Sequence, residues 1–243
     1  MGLRELHVHT VFSDGENTPE EVALAAIAKG VTTLGFSDHS FTAFDTRYCM
    51  QRDYGSYRAE IARLREKYRG QIEILTGIEQ DYYAADSAEG FDYVIGSVHY
   101  LRVPGGYAPV DDDPKTLLDA VNTCFGGDFC ALAECYFETA ADVVRKTGAT
   151  IIGHFDLVSK FRDTVPLPGI DSPRYTAAWQ RAVDRLLPFG VPFEVNHGAI
   201  ARGLRKTPYP APEMQAYILS HGGTLLPSSD SHRADTLCFF ANR

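Results

Sequence analysis

The sequence predicts an α/β fold of seven strand–helix repeats closed as a barrel, and three observations carry that prediction. Short apolar runs recur along the chain, helical patterns lie between most of them, and clusters of histidine and acidic residues stand just after the runs. The runs cover 3–7, 32–36, 72–78, 93–98, 150–153, 192–195 and 224–227. Most are continuous rather than alternating, as expected of strands covered on both faces. Strand then helix, repeated, argues for a parallel sheet. An open parallel sheet places its site at one crevice near a switch point, whereas a barrel brings every carboxyl end to one mouth. Clusters that follow nearly every strand converge only in the barrel.

Taken in order, the first strand opens the chain and ends at His7. Thr18-Pro19-Glu20-Glu21 then starts a helix. Thr caps it, Pro takes the first helical position, and the acids favour the N-terminal dipole. That helix runs to about Lys29, and Gly30 stops it. Similar patterns cover 54–68, 115–124, 134–146, 172–187 and 211–220. His221, before Gly222-Gly223, sits at the end of the last, where a cation suits the helix dipole. Two longer loops follow strands that end in a candidate ligand, so both should overhang the mouth. One covers 100–113 with the acidic run Asp111-Asp112-Asp113; the other covers 161–173. Too few residues follow His232 for a full helix over the last strand, so a short or missing closing element is expected there. With no internal repeat, low-complexity segment or linker, residues 1–243 read as a single barrel domain.

Composition narrows the function classes. A hydrophobic fraction of 44% supports a sizeable core. A net charge of -9 without a Lys/Arg run argues against a nucleic-acid partner, yet a small anionic substrate remains open because bound cations reverse the local field. Cys49, Cys124, Cys130, Cys135 and Cys238 are odd in number and form no C-x-x-C pair. They read as reduced thiols rather than a disulfide framework or zinc ribbon. The chain opens directly into a strand, and no apolar run approaches the ~20 residues of a membrane span. A cytoplasmic protein without membrane association is the expectation.

The clusters are His7-Val8-His9 with Asp14, Asp38-His39, Glu79, His99, His154-Phe155-Asp156, and Asp230-Ser231-His232. Neutral imidazole and carboxylate are ligands for divalent zinc, manganese and iron. His7 and His9 are two apart on a strand and so share a face. Asp14, in a Ser-Asp-Gly turn, is placed to swing a carboxylate back. Any one cluster has an ordinary explanation as a turn, a cap or a surface histidine. Six at equivalent positions do not, and six are too many for one ion, so a multinuclear metal site is expected.

In this order the motifs H-x-H, S-D-H, G-I-E, S-V-H, G-H-F-D and S-D-S-H resemble those of the PHP (polymerase and histidinol phosphatase) family, over nearly the whole chain. The resemblance implies a distorted (β/α)7 barrel with three divalent ions at the carboxyl-end mouth. It places His7, His9, Glu79 and Asp230 on the first ion. Glu79 bridges to a second, shared with His99 and His154, and Asp14, His39 and His232 hold the third. Some members have His where this chain has Asp14. Outside the ligand set, Asp156-Leu157-Val158-Ser159-Lys160-Phe161, Glu194-Val195-Asn196, Ala199-Ile200-Ala201-Arg202-Gly203 and Pro208-Tyr209-Pro210 resemble blocks of the family's histidinol-phosphate phosphatases. His197 stands where Thr is common.

That likeness implies hydrolysis of L-histidinol phosphate, a small phosphorylated substrate, in histidine biosynthesis. A water activated between two ions would attack phosphorus in line. Arg meets phosphate with a planar fork, so Arg202 is the first choice for the phosphoryl oxygens, followed by Lys160, Arg162 and Arg205. His197 is a further pocket candidate. Asp230 or Asp156 is the candidate acid for the leaving group, and Asp111 or Asp113 for the substrate ammonium. Two other readings stand beside this one. One is a family phosphoesterase acting on nucleoside phosphates or other small esters. The other is a non-catalytic metal-binding module, which all nine filled ligand positions argue against.

Overall fold

A computed structural model describes residues 2–242. All seven expected strands form, and a two-stranded ribbon is added to them. In chain order they are β1 (Leu3–Glu5), β2 (Val31–Phe36), β3 (Glu73–Asp81), β4 (Tyr93–Ser97), the ribbon β5 (Tyr100–Val103) and β6 (Gly106–Pro109), β7 (Ile151–Ile152), β8 (Phe193–Asn196) and β9 (Leu225–Ser228). The seven pair in the order β1-β2-β3-β4-β7-β8-β9, every pair parallel. Past the ends of β1 and β9, a parallel bridge between Val8 and Ser231 joins the two edges. The His9 N–H donates to the Ser231 carbonyl at 2.9 Å, and the Ser231 N–H donates to the His7 carbonyl at 3.0 Å. The barrel is therefore nearly closed, and it closes at its carboxyl-end rim.

Helices surround the strands: α1 (Pro19–Ala28), α2 (Tyr54–Lys67), α3 (Pro114–Cys124), α4 (Phe129–Ala140), α5 (Val143–Thr147), α6 (Pro173–Leu186), α7 (Gly198–Ala201) and α8 (Pro212–Ser220). Thr18 and Glu21 form a reciprocal capping box on α1. The stretch 134–146 is not one helix. Its first part belongs to α4, which starts five residues earlier behind an Asp128 cap, and its end belongs to the separate α5. The 100–113 loop is likewise partly structured. Its two strands pair antiparallel across Pro104-Gly105, with Gly105 at φ +90, a left-handed conformation that favours glycine. In place of a last full helix, two 3-10 turns follow at Ala234–Thr236 and Phe239–Asn242. Leu237 and Cys238 are buried between them, and the Cys238 N–H donates to Glu5 Oε2 at 3.0 Å. Among the described residues, no helix is long and apolar enough to cross a membrane.

The core divides into three parts. One packs α3–α6 and α8 against one side of the barrel, and a second packs α1 and α2 against the other. The third is the barrel interior: Leu6, Tyr93, Ile95 and Ile151, with Leu75 and Leu226 against them. Strand alternation explains the split, since Val94 and Ile152 turn outward to the helices. Tyr93 fills the interior below the site, and its hydroxyl donates to the carbonyls of Leu6 (2.6 Å) and Phe36 (3.1 Å). Gly35 and Gly77 make room for it. A Cβ on Gly77 would lie 2.1 Å from the Tyr93 ring. Gly77→Ala should therefore cost about 1–3 kcal/mol through overpacking. Urea denaturation would read this as a lower midpoint, and an unchanged midpoint would mean that the ring has room to move.

Candidate metal centre and active site

The rim where the barrel closes also carries the histidines. Val8 is buried outward among the helices, so its neighbours His7 and His9 both turn inward. A parallel bridge pairs His39, after β2, with Glu79 in β3. His99, His154, Asp230 and His232 follow β4, β7 and β9, and Asp14 comes from the turn after His9. Five of the candidate imidazoles meet around one carboxylate, Glu79, and Asp14, Asp230 and His232 adjoin them. Glu79 Oε1 lies 2.8 Å from His154 Nε2 and 3.2 Å from His99 Nε2. Its Oε2 lies 3.1 Å from His7 Nε2, 3.1 Å from His39 Nδ1 and 3.4 Å from His9 Nε2. Asp230 Oδ1 lies 3.4 Å from His9 Nε2 and 3.6 Å from His7 Nε2. Asp14 faces His232 at 3.3 Å, His9 at 3.6 Å and His39 at 3.7 Å.

These donors suit divalent ions. Four sets, His9-Asp14-His39-His232, His7-His9-Asp230, His7-Glu79-His154 and His39-Glu79-His99, each hold their ligand atoms within 4.8 Å of one another. Both ring nitrogens of His9 and Nδ1 of His154 are buried without a hydrogen-bond partner among the described residues. That is costly for polar atoms unless something else binds them. Burial, then His232 and His39, push the His9 imidazole down to about 3. Burial opposes ionisation of Glu79, but His39, His7 and His99 outweigh it and hold the carboxyl well below its usual range. Asp230 is held down in the same way by His7 and Arg202. Conversely, burial disfavours a charged His7, yet Glu194, Glu79 and Asp230 raise it well above the ordinary imidazole range. The centre gathers carboxylates and imidazoles, the oxygen and nitrogen donors that divalent ions accept.

Several residues orient these donors, a role the sequence reading did not give them. Glu194 in β8 accepts from His7 Nδ1 in a short contact, from the His154 N–H at 2.8 Å and from Ser228 Oγ at 2.5 Å. Asp81 Oδ2 lies 3.2 Å from His99 Nδ1. Two residues after Glu79 on the same strand, it shares that residue's face, and alternation alone could have found it. Asp38 accepts from the N–H groups of Thr10 (2.8 Å) and Ser13 (3.1 Å), which shapes the turn carrying Asp14. Asp230 itself has φ 49, a strained conformation for a residue with a side chain. Gly198 lets it fit, because a Cβ there would lie 2.8 Å from Asp230 Oδ2.

Above the cluster opens a cavity of about 430 Å³, lined by seven of the candidate ligands, with His7 and His9 buried outside its lining. Arg202 and Lys160 line it too. Arg202 Nη2 lies 3.2 Å from Asp230 Oδ2, and Lys160 Nζ lies 3.2 Å from Asp111 Oδ2. Asp111 lines it as well, whereas Arg205, Asp156, Arg162, His197 and Asp113 are not among its lining residues. Arg205 and Asp156, both at 0% side-chain exposure, pair with each other at 3.3 Å. Arg205 also donates to Ser159 Oγ and lies over the Tyr209 ring. Buried in mutual contact, neither side chain lines the cavity. Arg162 turns to Asp171 and Glu213. The His197 ring lies against the carbonyls of Val195 and Ser228, 3.0 and 3.2 Å from Nδ1. Asp113 caps α3 through the Thr116 N–H. Arg233, which the sequence reading passed over, does line the cavity.

Comparison with known proteins follows the same line. The PHP domain model matches residues 5–197. The chain belongs to the PHP domain family. Among PHP relatives, a histidinol-phosphatase of Bacillus subtilis is 32% identical over 68% of this chain and 70% of its own. A probable histidinol-phosphatase of Deinococcus radiodurans is 27% identical over 98% of this chain and 89% of its own. A histidinol phosphate phosphatase of Lactococcus lactis, solved with zinc, L-histidinol and phosphate, shares the fold. Its TM-score is 0.73 at 20% identity, over 96% of this chain and 87% of that one.

Glu194→Gln tests the buried carboxylate behind His7. Loss of its charge should weaken metal retention about 10–100-fold, measured by chelator competition. Unchanged retention would show that Glu194 does not tune the His7 ring.

Proposed function

We infer that this PHP chain is a metal-dependent phosphomonoesterase that hydrolyses L-histidinol phosphate to L-histidinol and phosphate, a step of histidine biosynthesis. The observation that carries the reading is the convergence of six imidazoles and three carboxylates on the floor of one cavity, with Arg202 at its edge. The names of the curated relatives supply the substrate.

The proposed site holds three divalent ions. One set is His7, His9, Glu79 and Asp230, a second is Glu79, His99 and His154, and a third is Asp14, His39 and His232. Zinc, manganese and iron all suit these donors. Ions bound there would supply Lewis acidity to the phosphoryl oxygens and to the attacking water. The remaining work falls to side chains. Glu79 spreads its two oxygens across the floor and keeps the imidazoles in register. Arg202 presents its guanidinium beside Asp230, positioned for phosphoryl oxygens that gain charge in the transition state. Asp230, one of the two candidates for this step, lines the cavity and is the proposed carboxylate that would take the proton of the attacking water and pass it to the departing ester oxygen. Five unpaired thiols suit a reducing compartment, and the cytoplasm is the compartment proposed.

Phosphate release from L-histidinol phosphate by metal-loaded protein tests the reading, with a mononucleotide and an aryl phosphate in parallel. His99→Ala should lower kcat/KM by at least about 100-fold. Preference for the nucleotide would overturn the substrate, and no turnover of any ester by metal-loaded protein would overturn the activity.

A further inference from the structure

Lys160 reaches the cavity from the segment after β7, and Arg202 from the segment after β8. Each stands on a tight turn. Leu157–Ser159 is a 3-10 turn, with the Ser159 N–H on the Asp156 carbonyl at 2.9 Å and the Lys160 N–H on the Leu157 carbonyl at 2.8 Å. After α7 the Arg202 N–H donates to the Gly198 carbonyl at 3.0 Å. The N–H groups of Leu204 and Arg205 both donate to the Ala199 carbonyl, at 2.8 and 3.3 Å. Backbone hydrogen bonds thus fix Lys160 relative to Ser159, and Arg202 relative to Arg205.

Arg205 joins the two turns. Its Nη1 donates to Ser159 Oγ at 2.8 Å and to Asp156 Oδ2 at 3.3 Å. Ser159 Oγ lies 2.8 Å from the same Asp156 oxygen, which closes a triangle of three buried groups. A second route runs back to Arg202. The Arg205 guanidinium lies 4.2 Å from the centre of the Tyr209 ring. Tyr209 pairs through its backbone with Asn196, and Asn196 Oδ1 accepts from the Gly198 N–H at 2.9 Å, at the start of α7. Gly198 is close enough to Arg202 that a Cβ there would lie 3.0 Å from Arg202 Nη2.

We propose that Arg205 is a positioning residue: it bolts the turn of Arg202 to the turn of Lys160 and so fixes where the Arg202 guanidinium stands beside the metal centre, without touching the substrate. The assignment rests on the phosphomonoesterase reading above, in which Arg202 meets the phosphoryl group. Stability does not account for the pair, because desolvating two charges about cancels their attraction and an apolar pair of equal volume serves as well. What an apolar pair lacks is direction. A guanidinium sets hydrogen bonds and a stacking plane at once, which a lysine ammonium cannot do. A cation held in place before the anion arrives loses less freedom on binding, so rigid seating of Arg202 strengthens its contact with phosphate.

The test is a double-mutant cycle on the metal-loaded full chain, read by calorimetric binding of inorganic phosphate and by the KM for L-histidinol phosphate. Arg205→Lys keeps the charge and loses the planar fork. It should raise both constants by about 10-fold or more, while metal retention in chelator competition stays within about 2-fold of wild type. Arg202→Ala should weaken phosphate binding by itself. Adding Arg205→Lys to it should change the Kd by no more than about 2-fold, since the side chain being positioned is gone. Ser159→Ala removes the tether with little volume, so it should show the same dependence on Arg202 at smaller amplitude, and it serves where Arg205→Lys does not fold. Losses that multiply in the double variant would overturn the positioning role, as would metal retention that falls in step with phosphate affinity. Phosphate affinity unchanged in Arg205→Lys and Ser159→Ala would overturn it too, and leave the phosphomonoesterase reading standing. Metal-loaded wild type that neither binds phosphate nor hydrolyses the ester would overturn both.

Discussion

Glu79 is a carboxylate with 1% exposure that nonetheless stays ionised. Burying such a charge alone is prohibitive, so it must be surrounded by groups that repay its lost hydration. The chain meets that demand from five directions at once, with His7, His9, His39, His99 and His154 all around its two oxygens. No single helix or strand can bring five imidazoles to one point. A barrel can, because each parallel strand ends at the same rim, and the Val8–Ser231 bridge brings the first and last strands together there. The centre and the closure of the fold are thus one arrangement seen at two scales.

A second layer of buried carboxylates keeps that arrangement from relaxing. Glu194 ties His7, the His154 backbone and Ser228 together, and so spans three strand ends. Glu5 accepts from the N–H groups of Ser229 and Cys238 and fastens the segment after β9 to β1. Asp81 and Asp38 do comparable work for His99 and for the turn bearing Asp14. Each acid is satisfied by several donors, which is how a polar interior stays rigid rather than merely costly. The Asp156–Arg205 pair belongs with this layer. Its worth lies in fixing the segments that carry His154 and Arg202, since a fully buried ion pair contributes little net stability.

Most of the architecture was legible in the sequence because its signals are local. Apolar runs, capping residues and glycine stops mark each strand and most helices, and His-acid clusters mark the strand ends. What was misread depends on distant partners. The ribbon at 100–109 is two four-residue strands packed against Phe44 and Asp45, neither of them near in sequence. The stretch 134–146 carries a continuous helical pattern, yet α4 ends at Ala140, and Asp142, just before α5, accepts from the Tyr82 hydroxyl. Arg162, Arg205 and His197 have the chemistry of substrate-binding residues, but a side chain's direction is not written in its residue type.

The sequence by itself determined the family and the parallel α/β plan and supplied nine candidate donors, since each depends on residue identity at a position along one strand and its turn. The tertiary structure decided which charges face the cavity. Arg202 and Arg205 stand three residues apart in one segment, and one reaches Asp230 while the other is buried against Asp156. Asp111, Asp112 and Asp113 are consecutive, yet the first pairs with Lys160, the second accepts from Arg47 and Tyr48 and the third caps a helix. These fates are set by what packs against each side chain from other parts of the chain, a property of the closed barrel rather than of any local stretch.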